Sequence, residues 1–231
     1  MPKATLTFYT ISEFGYFKRN DPTPLISDIP SILEQIKTWG DTLGQIQYTR
    51  QNGIDKRGCY LVEAKKLAST NNFLLVLWNE SHNLAGNVPS IFLTSLKGDP
   101  LLAENTVEEG SVPGFPTYFL FMPDSKKIAS IRFEGDSTCM PNLSIYMQGF
   151  MRTFAKHAVK VKTDEGISIA GYKINPEDQK EPAKKLRPRV KIKLVPKPSD
   201  AAAVLADRGK IRAVIRQEVL STKTDTERTR L

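Results

Sequence analysis

The strongest constraint on the fold is a hairpin pattern in residues 113–135, PGFPTYFLFMPDSKKIASIRFEG. An apolar run is followed by the polar turn PDSKK and by a second run, IASIRFE, that is rich in strand-forming residues. Upstream, residues 59–81 hold two more such runs around the polar segment KLASTNN. The second of these, FLLVLW at 73–78, is continuously apolar, which favours a central strand. Consecutive strands joined by short turns predict an antiparallel sheet.

Two helices and a further strand complete the predicted N-terminal domain. Residues 4–12, ATLTFYTIS, alternate and are rich in β-forming residues. The segment SDIPSILEQIKTWG has a helical apolar stripe, with Ser27 or Asp28 as its N-cap and Gly40 at its end. Residues 141–157 form a second amphipathic helical pattern. We therefore expect an α+β domain over residues 1–160, an antiparallel sheet with flanking helices.

The charge of the chain is concentrated in its last quarter. The 231 residues have a net charge of +8, and residues 171–231 contain 16 Lys and Arg against 8 Asp and Glu, so the whole excess lies there. We expect a smaller basic region over residues 161–231. Its predicted parts are a polar linker at about 173–185, a strand at about 187–194 and a helix at about 200–219.

The predicted strand RPRVKIKL alternates cations with apolar residues. Successive side chains of a strand point to opposite faces, so its cations share one face at a spacing of about 7 Å. Four residues form this basic ladder: Arg187, Arg189, Lys191 and Lys193. Lys184 and Lys185 precede it. On the following helix, the spacing i, i+4, i+8 places Arg208, Arg212 and Arg216 on one stripe.

A row of cations on a supported strand suits a polyphosphate, which releases counterions when its phosphates are neutralised. The expected partner is nucleic acid, with double-stranded DNA first, bound without sequence preference. Four other roles compete with this one: lysines that protect a sheet edge from aggregation, a compressed helix-turn-helix at 200–219, a contact between copies through the last helix, and a protein-interaction module without nucleic-acid binding. Binding to an anionic membrane is disfavoured, because no amphipathic helix pattern in the sequence carries exposed aromatic residues. The apolar stripe of the last helix predicts a homodimer.

Enzymatic activity is the main alternative class, and few residues favour it. The common hydrolase, metalloprotease and nucleotide-binding motifs are absent from the sequence. A nuclease would need clustered carboxylates to hold a metal, for which the candidates are Asp124, Glu134 and Asp136. Ser137 and Cys139 lie in the same segment, GDSTCMP, which is more typical of a loop that caps a helix. We expect no catalytic residue, metal or cofactor.

Further expectations concern the two histidines, the two cysteines and the location of the protein. His82 lies in a predicted loop, and His157 is expected to serve the dipole at a helix C-terminus. The two cysteines, Cys59 and Cys139, lie outside any CxxC motif and are expected to be reduced thiols. The chain has no signal-peptide pattern and no run of eighteen apolar residues, so a cytoplasmic location is expected.

One stretch, GFPTYFLF at 114–121, resembles the RexA-type phage-exclusion (abortive-infection) proteins of lambda-like prophages. The similarity extends in order over residues 5–160. It includes FYTISEFGYFKRND at 8–21, the strand pair within 60–79, the hairpin at 114–133 and the helix at 141–157. The resemblance implies an intracellular, dimeric DNA-binding sensor of phage infection that acts with a membrane effector protein. It assigns no individual binding residue in this chain.

Overall fold

The computed structural model describes residues 4–81, 90–103, 109–133 and 139–195. The strands in chain order are β1 (Ala4–Phe17), β2 (Pro24–Ile26), β3 (Gln51–Asn52), β4 (Gly58–Lys66), β5 (Phe73–Glu80), β6 (Ser90–Phe92), β7 (Leu102–Ala103), β8 (Ser111–Met122), β9 (Lys127–Phe133), β10 (Ala158–Thr163), β11 (Gly166–Tyr172) and β12 (Arg187–Leu194). The helices are α1 (Ile29–Leu43) and α2 (Met140–Thr153). Neither helix of these described ranges is long and apolar enough to cross a membrane.

The main sheet is antiparallel, and its central strands follow the order β12, β1, β9, β8, β5, β4, β3. β2 pairs with β1, whereas β6 pairs with β7 and β8. The predicted hairpin is confirmed as β8 and β9, and FLLVLW lies in β5, between β8 and β4. The described residues form a curled antiparallel sheet with two helices, which is compatible with the predicted α+β class.

Helix α2 fixes the curvature of this sheet, because it contacts both end strands, β12 and β3. Hydrogen bonds join α2 to distant strands and turns. The Tyr146 hydroxyl donates to the Thr49 carbonyl at 2.6 Å, and the Tyr16 hydroxyl of β1 donates to the Met151 carbonyl at 2.8 Å. The sheet therefore curls around α2, which ends at Thr153, earlier than the predicted residue 157.

A small polar network joins the start of α2 to the sheet. The buried side chain of Asn142 accepts the backbone N–H of Ile54 at 2.9 Å and donates to Asn79 Oδ1 at 2.8 Å. Asn79 in turn donates to the Thr117 hydroxyl at 3.0 Å. Buried amides are stabilising when their donors and acceptors are paired in this way.

Helix α1 packs its apolar stripe on the sheet. Asp28 is its N-cap and accepts the N–H of Ser31 at 3.0 Å. The prediction that Gly40 ends the helix is wrong, because the helix continues to Leu43 with Gly44 as its C-cap. Gly40 instead permits close approach: a Cβ there would lie 2.8 Å from Leu61 Cδ2.

The C-terminal basic strand belongs to the main sheet. β12 pairs with β1 along most of its length, from Phe17 opposite Arg187 to Tyr9 opposite Leu194. This pairing extends β1 to Phe17, beyond the predicted end at residue 12, because residues 14–17 are buried. One compact unit spans Met1–Val195, so the boundary expected near residue 160 lies inside it. The helix predicted at 200–219 lies outside the described residues.

Two features between α2 and β12 complete this unit. β10 and β11 form a separate two-stranded sheet with exposed side chains near its turn, such as Lys162 and Ile167. The predicted linker at 173–185 consists mainly of turns, and the antiparallel bridge between Tyr172 and Lys184 holds its two ends together. This bridge positions the chain for entry into β12.

Candidate nucleic-acid interface

The alternation predicted for the basic ladder is present in β12 as far as Ile192, whereas Leu194, also predicted to face the core, is exposed. On its core side Pro188 and Val190 are buried, and Ile192 packs against the core. On the outer side Arg187, Lys191 and Lys193 are exposed, and Arg189 is half-buried. β12 pairs only with β1 among the described strands, which makes it an edge strand and explains how it tolerates Pro188.

Arg189 is the most constrained cation of the basic ladder. Its Nη1 donates to the Asp21 carbonyl at 3.0 Å and its Nη2 donates to the Lys18 carbonyl at 2.9 Å. The guanidinium carbon also lies 4.6 Å from the centroid of the Phe17 ring. These contacts tie β12 to the loop after β1 and fix the guanidinium in one orientation, which a lysine could not reproduce.

Glu13 of β1 partly neutralises the centre of the basic ladder. Its Oε1 accepts a hydrogen bond from Lys191 Nζ at 2.7 Å, and its Oε2 lies 3.6 Å from Arg189 Nη1. The hydrogen bond from Lys191, helped by the charges of Lys191 and Arg189, holds the pKa of Glu13 below its ordinary value. The carboxylate is therefore ionised at neutral pH and competes with any anion for these two cations.

The two ends of the basic ladder are freer than its centre. Among the described residues, no carboxylate forms an ion pair with Arg187 or Lys193. Lys184, in contrast, is 2.8 Å from Glu181 Oε1, and the hydrogen bond from Lys184 lowers the pKa of Glu181 to about 2. Lys185 precedes the strand without a described ion pair. Arg208, Arg212 and Arg216 lie outside the described residues.

Sequence reasoning missed three exposed cations that the fold brings to the basic ladder. Lys18 and Arg19 follow β1 directly, next to the carbonyl groups that hold Arg189. Lys127 of β9 lies opposite Thr10 of β1, and Thr10 lies opposite Lys193. Lys127 and Lys193 thus share one face, two strand spacings or about 10 Å apart. Only the pairing of β1 with both neighbours reveals this arrangement.

Of the three candidate carboxylates for a metal site, only Asp124 lies in the described part of the chain. Asp124 lies in the hairpin turn, where it accepts a hydrogen bond from Asn71 at 3.2 Å. His82, Glu134, Asp136 and Ser137 lie outside the described residues. No cluster of three His, Cys, Asp or Glu side chains that could hold a metal occurs within the described ranges.

The remaining nucleophile and acid–base candidates have structural surroundings. His157 is buried, and its Nδ1 lies 3.0 Å from the Lys173 carbonyl, so it bonds to the start of the linker and lies four residues beyond the end of α2. Cys59 is buried, and desolvation raises the pKa of its thiol well above the ordinary value. A thiol that stays protonated is a poor nucleophile.

An open depression of about 530 Å³ lies at the turn between β4 and β5 and is lined by residues 66–71 and by Asp124. Two further cavities in the described part of the chain are large enough to admit a small ligand. One of about 230 Å³ lies on the outer side of the sheet between Trp78, Ile91 and Tyr118, and it is lined mainly by apolar groups. Its carboxylate, Glu63, already lies 3.5 Å from Lys97 Nζ. The other, an open cleft of about 390 Å³ between β3 and α2, is lined by amides and by Arg152. Neither contains the convergent charged groups that a catalytic site requires.

Comparison with protein-family models, with curated proteins and with solved structures finds no match to this chain.

Proposed function

We propose that this protein binds nucleic acid through the phosphate backbone, along the outer face of β12. The observation that supports this proposal most is the row of four cations on one face of a strand whose other face is anchored in the core. Cations at about 7 Å intervals on a fixed support can neutralise successive phosphates without reading bases.

The added cations favour this role over simple protection of a sheet edge. Edge protection needs only charge at the edge strand itself. Here Lys127 lies on β9, two strands inward, and Lys18 and Arg19 flank the other end of the row. The positive surface is therefore wider than the edge, and Arg189 is held in place by two carbonyl groups.

The wider biological role that we propose rests on the resemblance of residues 5–160 to phage-exclusion proteins. In this role the protein is a cytoplasmic sensor in an abortive-infection system, acts as a homodimer, and passes its signal to a membrane effector protein. Nucleic acid bound on β12 would start this signal, since β12 contacts both β1 and α2.

The test is fluorescence anisotropy with a labelled 30-base-pair duplex over a series of salt concentrations. We expect log affinity to fall steeply with log salt, and the double variant Arg187→Glu, Lys193→Glu to weaken binding. The salt slope of the variant should be smaller by about 1.8, the contribution of two phosphates.

A matched control carries the same charge change elsewhere. Lys156 and Lys162 are exposed and lie outside β12 and its neighbours in the sheet. The double variant Lys156→Glu, Lys162→Glu should therefore keep most of the wild-type slope. Equal slopes for the two double variants, or no binding of the wild type at low salt, would refute the proposed interface.

A further inference from the structure

The face of the sheet that points away from the core is apolar and open near β1. Along β1 and β9 the side chains alternate, and core-side residues such as Ile11 and Ile128 are buried. On the opposite side Leu6 is 52% exposed, Phe8 44% and Phe133 37%. Large apolar side chains exposed together on one sheet face mark an interaction surface.

The strand register shows how this outer face is arranged. Phe8 of β1 lies opposite Ala129 of β9, a small residue that leaves the ring of Phe8 uncrowded on that side. Leu6 lies opposite Ile131, and Ile131 lies opposite Tyr118 of β8. The ring of Tyr118 meets the ring of Phe133 edge-on, with centroids 5.5 Å apart.

The two exposed phenylalanines are well separated on this face. Ala129, the partner of Phe8, is four residues from Phe133 along β9, which corresponds to about 13 Å. The rings of Phe8 and Phe133 can therefore contact two different groups of one extended ligand. A flat aromatic ring that is open on one side is a suitable support for a planar heterocycle.

Cations border the outer face next to Phe8. Thr10, the next residue of β1 on that side, has Lys193 opposite it on one strand and Lys127 opposite it on the other. Glu13 of β1, the carboxylate next to the basic ladder, is already paired with Lys191. The apolar face is thus continuous with a positively charged border, which complements a ligand that has both planar apolar groups and negative charges.

We propose that this outer face binds a single strand of nucleic acid, with bases stacked on Phe8 and Phe133 and phosphates held by Lys193, Lys127 and the basic ladder. The inference rests on the proposed function and names its substrate class. In a duplex the bases stack on each other and their faces are hidden, so only an unpaired strand can use the two rings. A second copy of this chain fits less well, because a twofold contact through this face would bring the same cations together.

The test compares a labelled 20-nucleotide single strand with the 20-base-pair duplex of the same sequence. We expect Phe8→Ala to weaken single-strand binding about tenfold, with little effect on the duplex and with an unchanged salt slope. Phe8→Trp should restore single-strand binding, and its fluorescence should be quenched by the bound strand. Lys193→Glu should instead reduce the salt slope for both probes.

Ile167→Ala is the matched control, since Ile167 is exposed and apolar but lies on β11, outside the main sheet. It should leave both affinities unchanged, and thermal unfolding should show that Phe8→Ala is folded. If Phe8→Ala binds the single strand as tightly as the wild type while the duplex retains its steep salt slope, the inference fails and the proposed function stands. If neither probe binds the wild type at low salt, both fail.

One further result would overturn the inference in favour of another partner. If Phe8→Ala converts a dimer into a monomer by light scattering and leaves single-strand affinity unchanged, the outer face is a contact between copies of this chain. The salt slope of Lys193→Glu would then report on the basic ladder alone.

Discussion

The substitution Glu13→Gln should increase affinity for nucleic acid, because Glu13 is the carboxylate that occupies the centre of the basic ladder. It holds Lys191 at 2.7 Å and lies 3.6 Å from Arg189. The neutral amide removes one negative charge and leaves both cations in place. Few single substitutions in a binding surface are expected to improve binding, so the direction of the effect is informative.

The size of the gain follows from the spacing of the strand. A phosphate bound one ladder position away lies about 7 Å from the carboxylate, and their repulsion in a water-like dielectric is about 0.6 kcal/mol. Two flanking phosphates give about 1.2 kcal/mol before screening. At 10 mM salt, where the screening length is about 30 Å, about 0.9 kcal/mol remains, or about fivefold in affinity. At 150 mM salt the screening length is about 8 Å, and the gain should fall to about twofold.

The assay is the same anisotropy titration at both salt concentrations, with Glu165→Gln as the control. Glu165 is exposed in the turn between β10 and β11, which form a separate two-stranded sheet, so its substitution changes the net charge equally but outside the main sheet. Equal gains for the two variants would mean that only net charge matters. A loss of affinity in Glu13→Gln would mean that Glu13 positions Lys191 for binding, and it would refute the idea that this carboxylate competes with phosphate.

Three further predictions concern the fold. Gly40→Ala should destabilise the protein by about 1–3 kcal/mol, because the new methyl group overlaps the buried side chain of Leu61. This loss is expected although alanine favours helices, and urea unfolding measures the free energy of unfolding. Asn142→Ala should cost about 1–3 kcal/mol in the same assay, because it leaves the polar partners of Asn142 unpaired. Lys191 lowers the pKa of Glu13 in the folded state, so the charged pair stabilises the fold. This stabilisation is fully present above the unfolded pKa of Glu13, about 4, and is lost as the pH falls through the lowered pKa of the folded state. The stability difference between the wild type and Glu13→Gln, at most about 1 kcal/mol at pH 7, should therefore vanish in acid.

Simple controls accompany these predictions. Thr38 lies on the exposed side of α1, so Thr38→Ala should not destabilise the protein. Equal losses of stability for Thr38→Ala and Gly40→Ala would exclude the packing argument. Asn71→Ala removes an exposed amide that bonds to Asp124, and should cost less than Asn142→Ala. A stability difference between the wild type and Glu13→Gln that persists well below the lowered pKa would exclude the ion pair as its cause.

The features that sequence predicts well are local. The hairpin of β8 and β9, the central strand β5 and the alternation in β12 each depend on residues close together in the chain, whose period and turn are visible directly. The two sides of β12 can therefore be assigned from eight residues alone.

The features that sequence could not predict depend on distant partners. The extension of β1 to Phe17 exists because β12 covers residues that would otherwise be exposed. The partner of Lys191, Glu13, is 178 residues away in the chain, and nothing near either residue indicates the contact. Glycine is common at helix ends, which favours a helix end at Gly40, whereas the role of Gly40 is to allow close packing on Leu61.

The pairing of the first strand with the last has a consequence for synthesis of the chain. β1 emerges from the ribosome early, but the strand that covers one of its edges, β12, follows about 180 residues later. Until then the nascent chain exposes an unpaired edge of β1, a site at which chains can associate. Closure of the sheet therefore comes after translation of nearly the whole described unit, and folding should be slow for its size. Slowing the translation of residues 139–195 should increase the association of nascent chains, whereas slowing it elsewhere should matter less.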